Sequence, residues 1–531
     1  MDETQPRTIA ARSALHAARR PEHTAVVCDG RAVGYRELHL ASNRTGHALQ
    51  AAGLTAGARV AYLGRESEHY YDLAVGCAKT GVVLVPINWR LTGGEVDHIL
   101  RDSGAELLFA EREFLGAVER VRSSVPSLRA VVEIDRPGEP AGGFLAWKAD
   151  APDSDLDVPV HTDDPFVQMY TSGTSGLPKG VVLAHRSFFT FIDNMGLHGS
   201  DWIDWRPEDR TLICFPGLHS AGMAWFMHMF NVGGTSVIMR MFVAEEAVRL
   251  IQEHKITTTW AAPAMLDMML AETGVTPGTF RSLRKVVYGG APISPGLLAR
   301  SIDGFGCELA QMYAAAETGS VVTCLSPADH VPGNPLLTSA GRACPGNLVK
   351  IVDDEGNQLP AGRIGQVCVW TPAHFVEYWH QPEATAKTLS EDGWLRLGDA
   401  GYLDEDGYLF LCDRIHDTII VAGQNIYPVE VENAVREHPA VADVAVIGAP
   451  DPRWGETVRA CVVLAPEQKL TGRELMLFLR GRLADFKIPS SYDFLDVLPR
   501  NPTGKVLRRV LRERLQSPTP QPAPQPAPQP H

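Results

Sequence analysis

The sequence predicts an α/β protein with a large N-terminal domain and a small α+β domain near its C-terminal end. Three observations support this fold class. The chain of 531 residues is longer than one hydrophobic core usually serves. Helix and strand patterns alternate along most of its length. Hairpin patterns, and then a compact mixture of helices and strands, follow toward the C-terminus.

The N-terminal elements alternate between the two hydrophobic periods. These periods predict helices over 36–52 and 70–80 and strands over 59–63 and 82–86. Near-continuous apolar runs predict strands that are covered on both faces, at 211–215, 235–239 and 285–288. We therefore expect sizeable sheets with helices packed on both sides.

The pattern changes beyond about residue 341. Short strands predicted at 348–352, 365–370 and 408–411 are separated by Asp-Gly turns, as in antiparallel hairpins. Helices at 428–438 and 471–484 and strands at 441–448 and 459–465 then predict one α+β domain of roughly 100 residues. The tail, residues 516–531, is rich in Pro, Gln and Ala, which is typical of a disordered extended segment.

The composition excludes several classes of function. A net charge of −14 disfavours a nucleic-acid partner and a polybasic membrane anchor. The nine cysteines are scattered without a Cys-x-x-Cys pair, as expected for buried small side chains in a reducing compartment. Residues 1–20 lack the apolar core of a signal peptide, and no apolar run is long enough to span a membrane. We therefore expect a cytoplasmic protein with no membrane span, either a monomer or a homodimer.

Basic residues are concentrated in the last part of the chain that we expect to fold. This basic stretch has a single acidic residue, Glu513, and comprises Arg500, Lys505, Arg508, Arg509, Arg512 and Arg514. It suits a polyanionic ligand, and a solvated helix face is the alternative explanation for its last four members.

The segment from Tyr170 to Gly180 is the most informative in the chain. It reads Tyr-Thr-Ser-Gly-Thr-Ser-Gly-Leu-Pro-Lys-Gly and lies between two predicted strands. Its glycines allow close backbone approach, its four hydroxyls supply donors, and Lys179 supplies positive charge, which together suit a polyphosphate. A Walker loop leads directly into a helix, whereas here Pro178 precedes the lysine and a strand follows. An exposed flexible turn is the alternative, but it leaves the hydroxyls and the lysine unexplained.

This segment resembles the signature of the adenylate-forming superfamily, which contains acyl-CoA synthetases, aryl-CoA ligases, luciferases and peptide-synthetase adenylation domains. Seven further motifs resemble the family's motifs in the same order: Phe215-Pro216-Gly217-Leu218-His219, Tyr288-Gly289-Gly290-Ala291-Pro292, Tyr313 through Thr318, Gly393-Trp394 with Gly398-Asp399, Asp413-Arg414, Gly423 through Glu432, and Asn501-Pro502-Thr503-Gly504-Lys505. The similarity covers nearly the whole chain and is strongest to acyl-CoA and aryl-CoA ligases.

The resemblance implies an architecture of two domains. Residues 1–412 would form a large domain of stacked α/β sheets with a distorted β-barrel-like subdomain at about 341–412. A hinge at 413–417 would connect it to a small mobile α+β domain at 418–515, which rotates between two half-reactions.

The activity implied is that of an ATP-dependent acid–CoA ligase. An aryl or fatty acid would react with ATP to give an acyl-adenylate and pyrophosphate, and CoA would then displace AMP. Two alternatives stay open at this point. The acceptor could be the phosphopantetheine arm of a carrier protein, which carries the same thiol, or the enzyme could activate nitrite for aryl-amine diazotisation. A binding module without activity is disfavoured, because Lys505, Glu317 and Asp399 are all present.

The resemblance also assigns roles to residues. Lys505, Glu317 and His219 are the candidate catalytic residues, and Thr174 and Glu317 would hold Mg²⁺. Binding of ATP and CoA is implied for Thr171, Ser172, Gly173, Thr174, Ser175, Gly176, Lys179, Gly289, Gly290, Ala291, Pro292, Tyr313, Ala316, Asp399, Arg414, Gly423, Gln424 and Asn425. The acid pocket is implied for His219, Ser220, Ala221, Met223, Gly289, Ala314 and Ala315. The stretch from Phe215 to Met223 has no acidic residue to pair an α-ammonium group, which disfavours an amino-acid substrate.

Three positions depart from the family's pattern. The expected Tyr-Gly-x-Thr-Glu is Tyr313-Ala314-Ala315-Ala316-Glu317, so a threonine hydroxyl is missing near the α-phosphate. Glu377 replaces the glycine expected before Tyr378-Trp379, and His416 occupies the hinge position that is often Asp or Lys. The missing hydroxyl either weakens a phosphate contact or enlarges the acid pocket.

Overall fold

The computed structural model describes residues 7–135, 142–171, 178–200, 202–291, 293–414, 417, 419–421, 424–426, 428–451, 455–483, 485–500 and 506–516, with only the backbone at 413, 414, 420, 424, 425, 455, 486, 515 and 516. The described chain forms two compact units. The larger contains residues up to 397 together with 402–410, and the smaller contains 398–401 and the residues from 411 onward.

The helices of the larger unit come first in the chain. Its helices are α1 (Ile9–Arg19), α2 (Tyr35–Ala51), α3 (Glu68–Thr80), α4 (Gly93–Ser103), α5 (Arg112–Arg122), α6 (Phe144–Trp147), α7 (Arg186–Leu197), α8 (Ser220–Val232), α9 (Ala244–Glu253), α10 (Pro263–Leu270), α11 (Pro295–Phe305) and α12 (Pro382–Thr388). The helices of the smaller unit are α13 (Pro428–Arg436), α14 (Gly472–Leu479) and α15 (Arg508–Gln516).

The strands, in chain order, are β1 (Thr24–Cys28), β2 (Arg31–Gly34), β3 (Arg59–Leu63), β4 (Val83–Ile87), β5 (Leu107–Glu111), β6 (Ala130–Ile134), β7 (Pro165–Thr171), β8 (Lys179–Ala184), β9 (Arg210–Ile213), β10 (Thr235–Ile238), β11 (Thr258–Ala261), β12 (Lys285–Gly289), β13 (Glu308–Tyr313), β14 (Thr323–Leu325), β15 (Arg342–Ala343), β16 (Leu348–Val352), β17 (Gly365–Trp370), β18 (Glu377–Tyr378), β19 (Trp394–Leu403), β20 (Leu409–Arg414), β21 (Ile419–Val421), β22 (Gln424–Ile426), β23 (Val441–Asp451), β24 (Gly455–Leu464) and β25 (Ser491–Phe494).

Two large sheets form the framework of the larger unit. The nine-stranded sheet has the order β15-β14-β13-β12-β11-β9-β10-β1-β2, and its central strands from β13 to β1 are parallel. The seven-stranded sheet has the order β18-β8-β7-β4-β3-β5-β6, with β8 and β18 antiparallel at one edge. The parallel strands are almost wholly buried, as expected for strands that are covered by helices on both faces. The predicted α/β class is confirmed.

Two helices lie deep in the larger unit. Every residue of α3 is buried, and α8 is buried from Gly222 to Asn231. Tyr71 of α3 stacks on Phe226 of α8 with ring centroids 3.8 Å apart. The loops that precede these two helices are therefore anchored to the buried core.

Two smaller sheets complete the fold. One has the order β16-β17-β19-β20, and β16 and β17 form the predicted antiparallel pair. The other has the order β22-β21-β24-β23, with β25 added beside β24, and α13 and α14 pack on it around Val431, Val446 and Leu475. The predicted helix over 471–484 is too long, because Arg480 is extended and Gly481 has a φ of +76°.

All nine cysteines lie in the described part of the chain and are free. Cys307 and Cys412 are partly exposed and the others are buried, in keeping with the expected role as small core side chains. Within the ranges that the structure describes, no helix is both long and apolar enough to span a membrane.

Candidate active site

Three of the sequence motifs lie at one edge of the nine-stranded sheet. The motif at 215–219 follows β9, the glycines at 289–290 end β12, and the segment at 313–317 follows β13. Because β9, β11, β12 and β13 are parallel neighbours, their carboxyl ends share this edge, where α/β sheets usually bind ligands. A Cβ atom on Gly290, whose φ is +79°, would lie 3.7 Å from Cζ of Phe215, so the first two motifs are adjacent.

His219 lies at this edge as the N-cap residue of α8. Its Nδ1 atom accepts the backbone N–H of Ala221 at 3.2 Å, and its ring stacks on Phe215 with centroids 6.2 Å apart. The side chain is accessible, yet the surrounding protein desolvates it and lowers the pKa of His219. The imidazole is therefore neutral near pH 7, with its proton on Nε2, and can donate one hydrogen bond to a ligand.

The first turn of α8 contains the other predicted pocket residues of this segment. Ser220 and Ala221 are partly exposed, whereas Met223 is completely buried. A Cβ atom on Gly222 would stand 2.1 Å from the carbonyl oxygen of Pro216, so this turn packs directly on the loop before it. Ser220 and Ala221 thus keep part of their surface accessible, whereas Met223 belongs to the core.

An aromatic layer lies behind the glycines of the second motif. The Trp260 ring is 5.4 Å from Phe215 and 5.8 Å from Trp225, between centroids. Its Nε1 atom is 3.5 Å from the position of a Cβ on Gly289, and this buried N–H has no hydrogen-bond partner among the residues that the structure describes. In contrast, Nε1 of Trp225 donates to Thr211. Trp260 is therefore held here by packing, as a bulky wall behind Gly289.

The predicted phosphate segment connects two paired strands. Thr171 at the end of β7 is opposite Lys179 at the start of β8 in an antiparallel ladder. Ser172, Gly173, Thr174, Ser175 and Gly176, which we predicted to bind phosphates, lie outside the described residues. Thr171 and Lys179 show that both ends of this segment are anchored in the seven-stranded sheet.

Tyr378 connects this hairpin to Glu317. It lies on β18, which pairs with β8, and its hydroxyl donates to Oε1 of Glu317 at 2.6 Å. Nζ of Lys179 is 5.3 Å from the centroid of the Tyr378 ring. The sequence motifs did not identify Tyr378 as a site residue, and its only signal was its position next to the unusual Glu377. Tyr378 thus contacts both a cation on β8 and a carboxylate in the segment that follows β13.

The segment that contains Glu317 is a short turn of 3₁₀-helix, Ala316–Thr318. Its carbonyl oxygen at Glu317 accepts the N–H of Phe375 at 2.8 Å. The Thr318 hydroxyl lies 2.8 Å from the carbonyl oxygen of Ala315 and 2.7 Å from that of Ser320, and the residue is fully buried. Thr318 therefore does not replace the hydroxyl that is missing at Ala316.

The remaining predicted residues are placed as follows. Tyr313 ends β13, and Ala314 and Ala315 are partly buried beyond it. Ala291 follows Gly290. Asp399 lies on β19 after Gly398, whose φ is +80°. Pro292, Gly423, Lys505 and the hinge residue His416 lie outside the described residues, as do the side chains of Arg414, Gln424 and Asn425.

The basic stretch near the C-terminus is largely neutralised within the smaller unit. Arg500 pairs with Asp443, Arg508 with Glu432, Arg512 with Asp417 and Arg509 with Glu513, at 2.6 to 2.8 Å. Arg508 and Arg512 thereby join α15 to carboxylates elsewhere in the smaller unit. The suggestion that they attract a polyanionic ligand is thereby weakened.

The fold and the site define an adenylate-forming enzyme. The AMP-binding enzyme family matches residues 14–379, and the AMP-binding enzyme C-terminal domain matches residues 430–505. The chain belongs to the AMP-binding enzyme family. It is an AMP-forming acid–thiol ligase.

Two relatives and one solved structure illustrate the similarity. The chain is 53% identical over 506 residues to the fatty acid–[acyl-carrier-protein] ligase ScoC of Streptomyces coeruleorubidus, which covers 95% of this chain and 96% of that protein. It is 36% identical over 490 residues to a feruloyl-CoA synthase of Amycolatopsis sp, covering 92% and 95%. The crystal structure of ATP-bound MatB from Rhodopseudomonas palustris superimposes with a TM-score of 0.88 at 27% identity, over 97% of this chain and 99% of that one. The predicted fold class is confirmed.

Proposed function

We propose that this enzyme activates a fatty acid as its acyl-adenylate and transfers the acyl group to the phosphopantetheine thiol of an acyl carrier protein. The observation that carries the choice of acceptor is the 53% identity to a fatty acid–[acyl-carrier-protein] ligase over nearly the full chain. Relatives named as CoA ligases are 31–36% identical. CoA, which the sequence motifs led us to expect first, is the alternative acceptor.

The first half-reaction joins a carboxylate oxygen to the α-phosphorus of ATP and releases pyrophosphate. Its main demand is the stabilisation of negative charge on the phosphates. Lys179 at the end of the phosphate hairpin supplies a cation, and Glu317 supplies a carboxylate that Tyr378 orients; both residues contact Tyr378.

Mg²⁺ fits this arrangement. Within the described residues, no group of three or more His, Cys, Asp and Glu side chains forms a metal cage. Mg²⁺ in nucleotide enzymes is usually held by one or two carboxylates and by substrate phosphates, and Glu317 offers one such carboxylate. When bound, the ion neutralises charge on the phosphates of ATP.

The acid would bind at the edge formed by His219, Ser220, Ala221 and the glycines at 289–290. The neutral His219 can donate a hydrogen bond from Nε2. It places no positive charge in the pocket, which suits an uncharged acyl chain. In the second half-reaction the thiolate attacks the acyl carbonyl, the carbon–sulfur bond forms, and the bond to the phosphate oxygen of AMP breaks. Lys505 and the hinge at 413–417 keep their predicted roles in these two steps.

The acceptor is tested by measuring thioester formation with two thiols. Pyrophosphate release is first screened over aryl acids and short, medium and long fatty acids. The best acid is then offered with a holo acyl carrier protein or with CoA, and the apo carrier protein, which lacks the thiol arm, is the control. A higher kcat/KM for the holo carrier than for CoA supports the proposal, and the reverse order refutes it. Retention of full adenylation by Lys505→Ala would refute the role of Lys505.

A further inference from the structure

Two buried side chains hold the backbone of one residue of the active-site loop, Gly217, through its N–H and its carbonyl oxygen. Oε1 of Glu66 accepts the N–H of Gly217 at 2.7 Å, and the Tyr70 hydroxyl donates to the carbonyl oxygen of Gly217 at 2.7 Å. The Tyr71 hydroxyl also donates to Oε1 of Glu66. We call Glu66, Tyr70 and Tyr71 the Gly217 clamp.

The clamp belongs to the buried core of the larger unit. Glu66 lies between β3 and α3 and is 1% exposed, and both tyrosines are fully buried in the first turn of α3. A Cβ atom on Gly217 would lie 2.7 Å from the Tyr71 hydroxyl and 3.0 Å from Oε1 of Glu66. The clamp therefore fits a glycine so closely that any side chain at position 217 would have to displace it.

A tight turn joins the backbone of Gly217 to His219. The N–H of His219 bonds to the carbonyl oxygen of Pro216 at 2.9 Å, which closes a turn around Gly217. His219 then caps α8, and Gly222 in the first turn of α8 packs against Pro216. A shift of the Gly217 peptide would therefore move both the imidazole and the first turn of the helix.

The chemistry of Glu66 suits a clamp rather than an ion pair. Desolvation raises the pKa of Glu66 to about 8, so the side chain is a neutral acid near pH 7. The carbonyl oxygen of a carboxylic acid has two lone pairs, which match the two donors at Oε1. A buried polar group is costly unless its hydrogen bonds are made, so an apolar side chain would be the simpler choice for packing alone.

We propose that Glu66 and Tyr70 are positioning residues for the acid substrate, because they hold Gly217 from both sides and thereby fix His219 and the first turn of α8. The inference rests on the proposed function in one respect, that the acid binds at His219. It assigns a role in substrate binding to two residues outside the sequence motifs.

The test uses the full-length enzyme and a matched control. Tyr35 is also a buried tyrosine whose hydroxyl donates to a glycine carbonyl oxygen at 2.7 Å, but its partner is Gly234, which lies outside the site. Tyr70→Phe and Tyr35→Phe therefore remove equivalent hydrogen bonds. Glu66→Gln keeps an oxygen acceptor for both donors of the clamp, and Glu66→Leu removes it.

We expect Tyr70→Phe to raise the KM for the acid by about three- to tenfold, and Glu66→Leu to raise it by about tenfold or more. The KM for ATP should stay within about twofold in both variants, because the phosphate hairpin belongs to the other sheet. Glu66→Gln should rescue the KM for the acid, and Tyr35→Phe should leave both constants unchanged. Equal effects of Tyr70→Phe and Tyr35→Phe, or equal effects on both substrates, would overturn the proposal.

Amide hydrogen exchange provides a readout that does not depend on the acid. Tyr70→Phe should accelerate exchange in the peptide that contains residues 217–221, whereas Tyr35→Phe should accelerate it only around residue 234. Unchanged exchange at 217–221 in Tyr70→Phe would also overturn the clamp. If the wild-type enzyme activates no carboxylic acid, the proposed function fails, and the exchange measurement still decides whether the clamp holds the loop.

Discussion

Replacing Tyr378 with Phe should raise the concentration of Mg²⁺ that adenylation requires. The substitution removes the hydroxyl that donates to Oε1 of Glu317 at 2.6 Å but keeps the ring that lies 5.3 Å from Nζ of Lys179. The cation–π contact and the packing of β18 on β8 therefore remain. The change isolates the hydrogen bond that orients the carboxylate.

The magnitude follows from the type of bond that is lost. A hydrogen bond to a charged group contributes ~1.5–3 kcal/mol. Since each ~1.4 kcal/mol is a factor of ten, the free Mg²⁺ needed for half-maximal activity should rise by about ten- to a hundredfold. Without this hydrogen bond the carboxylate rotates freely, and the rotational freedom that it loses on binding the ion weakens Mg²⁺ binding.

The assay is ATP–pyrophosphate exchange with the preferred acid over a range of free Mg²⁺. Tyr408→Phe is the matched control, because Tyr408 is equally buried and its hydroxyl donates to another carboxylate, Asp329, at 3.2 Å. A Mg²⁺ requirement that is the same in Tyr378→Phe, Tyr408→Phe and the wild type would refute the reasoning. An equal shift in both variants would assign the effect to general destabilisation.

Three further predictions concern the pocket wall, the smaller unit and pH. Trp260→Ala should extend the accepted acids toward longer chains because it removes the bulk behind Gly289. Trp260→Phe should keep the wild-type profile of pyrophosphate release over the acids. The same profile in Trp260→Ala and the wild type would contradict the role of Trp260 as a wall. Glu432→Ala should destabilise the smaller unit by about 3 kcal/mol in urea unfolding, because it removes the buried carboxylate that accepts from Arg508 and from the N–H of Val446, and Glu432→Gln should destabilise it less. Burial raises the pKa of Glu66 to about 8. Between about pH 4.5 and pH 8 the side chain is therefore protonated in the folded state and ionised in the unfolded state, so the stability of the wild type falls as pH rises. The melting temperature of Glu66→Gln relative to wild type should therefore increase between about pH 5 and pH 8.5, and a constant difference would contradict the assignment.

The sequence predicted local structure well where one period dominates. The strands at 348–352 and 365–370 have the predicted bounds, because alternating residues between turn signals leave little freedom. The helix at 471–484 was wrong at its C-terminal end, where Gly481 favours a left-handed conformation that the hydrophobic pattern does not reveal. Strand order was not predicted, because it depends on pairs such as β18 with β8, which are almost two hundred residues apart.

The candidate site was predictable only as far as its motifs extend. His219, Gly289 and Tyr313 were found because they belong to recognisable segments at the ends of parallel strands. Glu66 was missed, since the run Arg65-Glu66-Ser67-Glu68 is typical of a solvated turn, yet the structure buries Glu66 completely against Gly217. Contacts of this kind are formed between distant segments, and no local pattern encodes them.

The internal ion pairs of α15 also bear on how the enzyme would meet an anionic partner. Arg508 and Arg512 of α15 and the preceding Arg500 each lie against a carboxylate of the smaller unit, so these groups present near-neutral dipoles to solvent instead of isolated positive charges. Long-range attraction depends on unbalanced charge, and the chain as a whole carries −14. An acidic partner would therefore receive little electrostatic guidance from this part of the surface. Its recognition would depend on short-range complementarity. Association would then be slow, but related partners would be well discriminated.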